Sequence, residues 1–499
     1  MQFRTLSVLV AFLSVSAGCV VEEEPVVGEE TIELRDPSGP LLVQPGSRLL
    51  LLEVTDDNYA IYQEGQSVYA TALRASAPRQ HIADVPGGNF AFVYRVGKVA
   101  FVWTDPDRSL PGFGVSPLVI WSAASGAHLA AAASPIGTLA TAASRNGEYV
   151  LFPSNGTPDG AIGDLEFATT DLATRSTLVA GVQMSFPVGP CRPLATFVGD
   201  DPIAAYCPEG ATVAQVSRWQ DGERCDLVAE AATPPVLSID PRGERLLTLL
   251  AGSRNPVTID LQHPGPVELV AAVSASSSFL GVDRAAFYTT RTNAGAELFR
   301  TRRQVATKIL ELRGFLAFTF GSRSLMQPPT SDDGQSILSF GSFDPNTGLV
   351  DVRLSRTRGD RSMVTLEPQP VATLAGPPFT ADSARAIYAR ITDLSTFFAD
   401  LVVADAQTRQ VYSTDVWSWN VGARGIVSFN ERAVFNPADP FFATADLSVV
   451  DTAQGQAQLI APQAYVSYFP SHRGTRVVYA TGQGSAPPGL YVARVERAW

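Results

Sequence analysis

Apolar and polar residues alternate along most of this chain in short runs, and each run is set off by a turn containing Gly, Asp or Asn. One phrase recurs: a small polar residue, a turn, a polar or basic residue, then an alternating apolar strand. Its clearest copies are Ser144-Arg-Asn-Gly-Glu-Tyr-Val-Leu-Phe152, Asp240-Pro-Arg-Gly-Glu-Arg-Leu-Leu-Thr248, Ser331-Asp-Asp-Gly-Gln-Ser-Ile-Leu-Ser339 and Ser471-His-Arg-Gly-Thr-Arg-Val-Val-Tyr479. Period-two alternation between such turns predicts half-buried strands. Expected strands include 149–153, 165–172 and 176–180 in one unit, 246–250, 257–261 and 267–271 in another, and 386–391, 400–406 and 410–413 in a third. No segment carries a long apolar stripe at helical spacing, so almost no helix is expected.

The turn position can be followed through Gly46, Gly97, Gly147, Gly199, Gly243, Gly281, Gly334, Ser383, Asn430 and Gly474, a mean spacing of about 48 residues. A meander of four strands cannot bury both faces alone. Packing such sheets face to face around a ring does so. The last unit offers strands at 477–480 and 490–495 but no outer strand. Near the start, 31–35 (Thr-Ile-Glu-Leu-Arg) alternates and is unclaimed. Pairing it with the last unit would close the ring and cover an exposed edge.

The recurring phrase resembles the Ser-Pro-Asp-Gly-x-x-Ile-x-Phe motif of TolB-type propeller repeats, over about residues 43–495. The resemblance implies an all-β propeller of four-stranded antiparallel blades. It also implies a broad range of protein-binding roles and some enzymatic ones. About eight to ten repeat units are expected over residues 31–499, in one closed ring or two smaller propellers.

The N-terminus changes the picture. Arg4 precedes an apolar stretch at 6–15, too short for a stable membrane span, which reads as an export signal over residues 1–18. Ser16-Ala17-Gly18-Cys19 resembles a bacterial lipoprotein box, which implies lipidation at Cys19 and anchoring to a membrane of the cell envelope. A periplasmic or secreted soluble protein is the alternative. Residues 19–30, with Glu22, Glu23, Glu24, Glu29 and Glu30, read as an acidic tether. No other run is long and apolar enough to span a membrane, so membrane contact is expected through the lipid only. The formal charge of −12 disfavours nucleic acid as a partner. The only lysines are Lys98 and Lys308, so nearly all positive charge is Arg.

Beyond Cys19 the cysteines are Cys191, Cys207 and Cys225, and three cannot all pair internally. Segments 194–198 and 203–206 read as a hairpin that would bring Cys191 and Cys207 to one open end. These two are the disulfide candidates, with Cys207–Cys225 as the alternative. No Cys-x-x-Cys or close His pair accompanies them, so no metal is expected. His81, His128, His263 and His472 fall at different places in the repeat. The pairs Asp56-Asp57, Asp200-Asp201 and Asp332-Asp333 sit at or beside turns, where Asp bonds backbone N–H groups. No nucleophile elbow, phosphate-binding loop or His-Glu-x-x-His pattern occurs, so no catalytic residue or cofactor is assigned. In Trp417-Ser418-Trp419, alternation would place both indoles on one strand face, as a stacking platform for a sugar or peptide or as blade packing. Phe397-Phe398 and Phe441-Phe442 fall in linkers and are candidates for partner contact.

Three functions remain open. The favoured one is an envelope scaffold binding a protein or glycan. The others are a propeller-type hydrolase or lyase with its site in the central funnel, and a structural envelope protein.

Overall fold

The computed structural model describes residues 39–495 apart from short connecting segments, of which 314–329 is the longest. Among the described residues there is no α-helix. The strands form nine antiparallel sheets, seven of four strands, one of three and one of seven. In chain order they occupy residues 49–84, 92–133, 142–183, 194–231, 238–269, 275–313, 336–367, 371–465 and 468–494. Within each of the first seven sheets, strands follow one another in sequence order from the inside outwards.

Each sheet packs its two faces against its neighbours in the chain. Ile61, Val68 and Ala70 of the first sheet meet Val93, Ala100 and Trp121 of the second. Val99, Phe101 and Trp103 then meet Val150, Phe152 and Ala168 of the third. The series continues to the ninth sheet, where Val478, Ala480 and Leu490 return to Leu49, Leu51 and Tyr62 of the first. The cores therefore form a closed circuit, and the molecule is a single β-propeller of nine blades. Middle strands are covered from both sides. Val99–Trp103 and Ala399–Ala404 are buried at every position and show no alternation. Outer strands keep one face in water, as in Glu223–Ala231. Fully burying one large apolar side chain contributes about 1.5–3 kcal/mol, so these inter-blade layers dominate the stability.

The eighth blade is double. Strand Arg409–Val421 pairs through its first half with Ala399–Ala404 and through its second half with Ile426–Val434. It is thus the outer strand of one repeat unit and the inner strand of the next, and the ten turns of the repeat fit into nine sheets.

The ring closes with an N-terminal strand, but not the expected one. Leu41–Pro45 pairs antiparallel with Gly489–Arg494 and fills the outer place of the ninth sheet. The segment 31–35 lies outside the described residues, and the place assigned to it is taken. Tyr465 Oη donates to Ser47 O at 3.0 Å and Ser467 Oγ to Leu51 O at 2.5 Å, so side chains stitch the same seam.

The repeated phrase builds the first turn of each blade. In the third blade, Ser144 Oγ donates to Asn146 Oδ1 at 2.7 Å and accepts from Tyr149 N at 2.9 Å, while Glu148 N donates to Asn146 Oδ1. Gly147 closes the turn at φ +79°, where a Cβ is disfavoured. Thr55/Asp57, Ser331/Asp333 and Thr380/Asp382 repeat the hydroxyl-to-carboxylate bond at 2.6 Å. The left-handed position falls on Asn58, Arg284 and Ser383 in three blades. This corrects three assignments. Gly46 lies in the link after Leu41–Pro45, and the first blade turns at Asn58. Gly281 only opens its turn, which Arg284 closes. Asn430 is buried inside Ile426–Val434, and that unit turns at Gly425.

Candidate functional site: two unlike ends of the ring

Because strands alternate in direction, the inner turns of all blades emerge at one end of the ring. The links between blades, and the connections from second to third strands, emerge at the other.

The inner-turn end is charged and largely self-paired. At the seam, Asp56 pairs with Arg95 of the second blade and, at 3.3 Å, with Nδ1 of His472 in the ninth. The buried Glu53 lies 3.6 Å from Arg95. Burial raises the Asp57 carboxyl above its usual value; Thr55 and Lys98 pull it down, and Asp56 adds to the rise. Further round, Arg284 reaches Asp240 at 3.4 Å and Glu244 at 2.5 Å. Asp201 is held by Arg218 at 2.6 Å. The turn carboxylates thus position backbone and neighbouring blades.

The opposite end gathers aromatic groups from distant parts of the sequence. Phe442 follows Ile426–Val434 in the double blade, Phe90 precedes Phe92–Val96 in the second, and Arg48 precedes Leu49–Val54. Ring centroids of Phe442 and Phe90 are 6.5 Å apart, and those of Phe442 and Tyr465 are 5.0 Å apart in an edge contact. The exposed Arg48 guanidinium lies 4.7 Å from the Phe442 ring centre. Tyr465 is buried and anchors the group, whereas Phe90 and Phe442 are half-buried. Connecting segments of three blades therefore present an aromatic and cationic surface across the seam. It suits contact with apolar groups, with Arg48 able to meet an acceptor.

Of the residues singled out in the sequence, Phe442 belongs to this group. Phe397, Phe398 and Phe441 lie outside the described residues, as does Cys19. The two tryptophans do not form a shared platform. The ladder skips Trp417, with Val416 facing Glu431 and Ser418 facing Asn430, so alternation is broken at that point. Trp419 is 1% exposed and donates Nε1–H to Pro377 O at 2.8 Å. It is a core residue, and Trp417 is half-buried. Cys191 and Cys207 are joined by a disulfide with Cα atoms 6.0 Å apart, and Cys225 is an exposed thiol. His81 meets Asp84 at 2.9 Å, and His128 meets Ser125 O at 2.8 Å, each local to its own turn or strand. Among the described residues, no three His, Cys, Asp or Glu side chains converge to hold a metal ion. Phe90 and Arg48 carry no sequence signal of their own, because only ring closure brings them to Phe442.

The fold and these two ends define a β-propeller with a polar, self-paired end and an aromatic end. No family model matches the chain. No curated protein matches it. Among solved structures it is similar to a eukaryotic initiation factor, with TM-score 0.49 and 12% identity, covering 75% of this chain and 91% of that one. It is also similar to TolB from Acinetobacter baumannii, with TM-score 0.28, 12% identity and coverages of 64% and 81%. An oligogalacturonate lyase in complex with manganese gives TM-score 0.33, 9% identity and coverages of 77% and 97%. None of these likenesses transfers a residue role to this chain.

Proposed function

We propose that this protein is an exported propeller of the TolB-repeat type, anchored through lipid on Cys19, that holds a protein or glycan partner at the cell envelope. The observation that carries the binding role is the Phe90–Phe442–Tyr465 group with Arg48 at the aromatic end. Aromatic residues and Arg are enriched where partners bind, and rigid placement lowers the ordering cost of association. A photo-crosslinking residue placed at 442 or 90 in the exported protein should yield a discrete adduct, and one at Arg145 on the inner-turn end should not. Phe442→Ala should then weaken binding of the purified partner at least 10-fold. Adducts from 145 alone, or none from 442 and 90, would reject the assignment. The anchor has its own test. Cys19→Ser should abolish lipid labelling and release the protein from the membrane fraction; an unlabelled wild type would favour a soluble exported protein.

A second reading, hydrolase or lyase chemistry at the inner-turn end, draws on the Asp56–Asp57 pair beside His472. Asp56 lies against the imidazole and its neighbour Asp57 has a raised pKa, and a carboxyl and an imidazole together are a workable acid–base arrangement. Against it, Asp57 is already committed to Thr55 in the turn.

A further inference from the structure

Arg254 sits in the connection between strands Arg245–Leu249 and Pro256–Asp260, at the aromatic end of the ring, in the left-handed region at φ +55°. Its guanidinium is fixed by three backbone carbonyls. Nε donates to Ala275 O at 2.9 Å, Nη1 to Thr233 O at 3.1 Å and Nη2 to Ser276 O at 3.3 Å. Those bonds come from the link entering the fifth blade and the first strand of the sixth. On the adjacent strand Ala286–Thr292, Thr290 pairs with Ala275, so Arg291 is one residue beyond the partner of a residue whose carbonyl holds Arg254. Arg291 is exposed, and among the described residues it makes no hydrogen bond or ion pair.

This is an unusual local balance in a chain with 49 acidic residues against 37 basic ones. Carbonyl oxygens satisfy N–H donors but bring no formal negative charge. Burial, first, and the Arg291 charge, second, both push the Arg254 pKa down, with no acidic side chain opposing them. A guanidinium has five N–H donors, so Arg254 keeps two beyond its three carbonyl bonds. Arg291 keeps its full set.

We propose that Arg254 and Arg291 form a binding site for an oxyanion group, a carboxylate or a phosphoryl group, at the junction of the fifth and sixth blades. Arg254 is the preset half, because its plane is locked by the backbone. Arg291 is the approachable half. An oxyanion between them would accept from the unused donors and offset two like charges, the chemistry for which Arg is preferred over Lys. This site is separate from the aromatic surface and does not depend on the partner proposed for it.

The test uses the full chain, with citrate and inorganic phosphate as probes and chloride at matched ionic strength as the control. The wild type should show saturable binding by calorimetry and a rise in unfolding midpoint beyond that in chloride. Arg291→Gln should keep the wild-type midpoint in chloride and lose at least 10-fold in affinity for the preferred probe. Arg254→Gln also removes three carbonyl contacts, so Arg291→Gln is the decisive variant. Binding of citrate alone identifies a carboxylate site, and binding of phosphate alone a phosphoryl site. An Arg291→Gln protein that binds both probes as tightly as wild type, or a wild type that responds to neither beyond chloride, would overturn the proposal.

Discussion

Asp57 and Asn146 occupy the same seat in two copies of one turn, each accepting a hydroxyl hydrogen at Oδ1. Only Asp57 must also carry a charge in a half-buried place. Its folded pKa is raised, so the folded state binds that proton more tightly than the unfolded state. The associated stability is present below the ordinary carboxyl value and is lost as pH rises through the folded value. Asp57→Asn keeps the acceptor and removes the titration. Urea unfolding at acidic and neutral pH should show the variant gaining on wild type as pH rises; an unchanging difference would refute this. Gly147 makes the complementary case. A Cβ there would meet its nearest atoms at an ordinary 3.7 Å, so the penalty for Gly147→Ala is conformational. It should lower unfolding free energy by about 1–2 kcal/mol. Such residues are legible in sequence because a turn's chemistry is local. Phe90 and Arg48 are not, because their neighbourhood with Phe442 exists only once the ring has closed.

At the scale of elements, hairpins were readable and their exceptions were not. The phrase beginning at Ser144 predicts strands that the structure places at Tyr149–Ser154, Ile162–Thr169 and Arg175–Gln183. Trp417-Ser418-Trp419 alternates on paper, yet the ladder of Arg409–Val421 steps over Trp417 where the strand passes from one repeat unit to the next. Alternation cannot reveal a bulge set by two different partners. Similarly, 31–35 alternates more cleanly than Leu41–Pro45, which ends in Pro and pairs with its own irregularity after Leu42. The Cys191–Cys207 bridge ties the entry of one inner strand to the end of its neighbour, across 16 residues. Replacing both by Ala should cost on the order of 3 kcal/mol. Non-reducing peptide mapping should recover this pair with Cys225 as a thiol, and a Cys207–Cys225 peptide would contradict the assignment.

For the whole molecule, the seam is where the first and last described strands meet. Deleting residues 31–36 should leave the thermal midpoint unchanged, because Leu41–Pro45 holds the outer place of the ninth sheet. Deleting through Pro45 should lower it by several degrees and expose the edge of Gly489–Arg494 to association with other chains. Equal midpoints for the two truncations would show that Leu41–Pro45 contributes nothing to closure. The circuit of cores was legible as a repeat. Its closure was legible only in kind, since any short alternating strand near the start would have served.

The pairing of Leu42 with Tyr491 also sets an order in time. Most blades are meanders of consecutive strands and can assemble from local contacts soon after they are made. The ninth cannot, because its outer strand is the first of the described strands and its others are the last. Loop closure over such a span adds only slowly to the free-energy cost, but it delays the event that brings the ends together. Until then Leu49, Leu51 and Tyr62, which the ninth sheet covers, still face water. The partly built ring therefore passes through an interval with a sticky flank, and its yield depends on how quickly that interval ends.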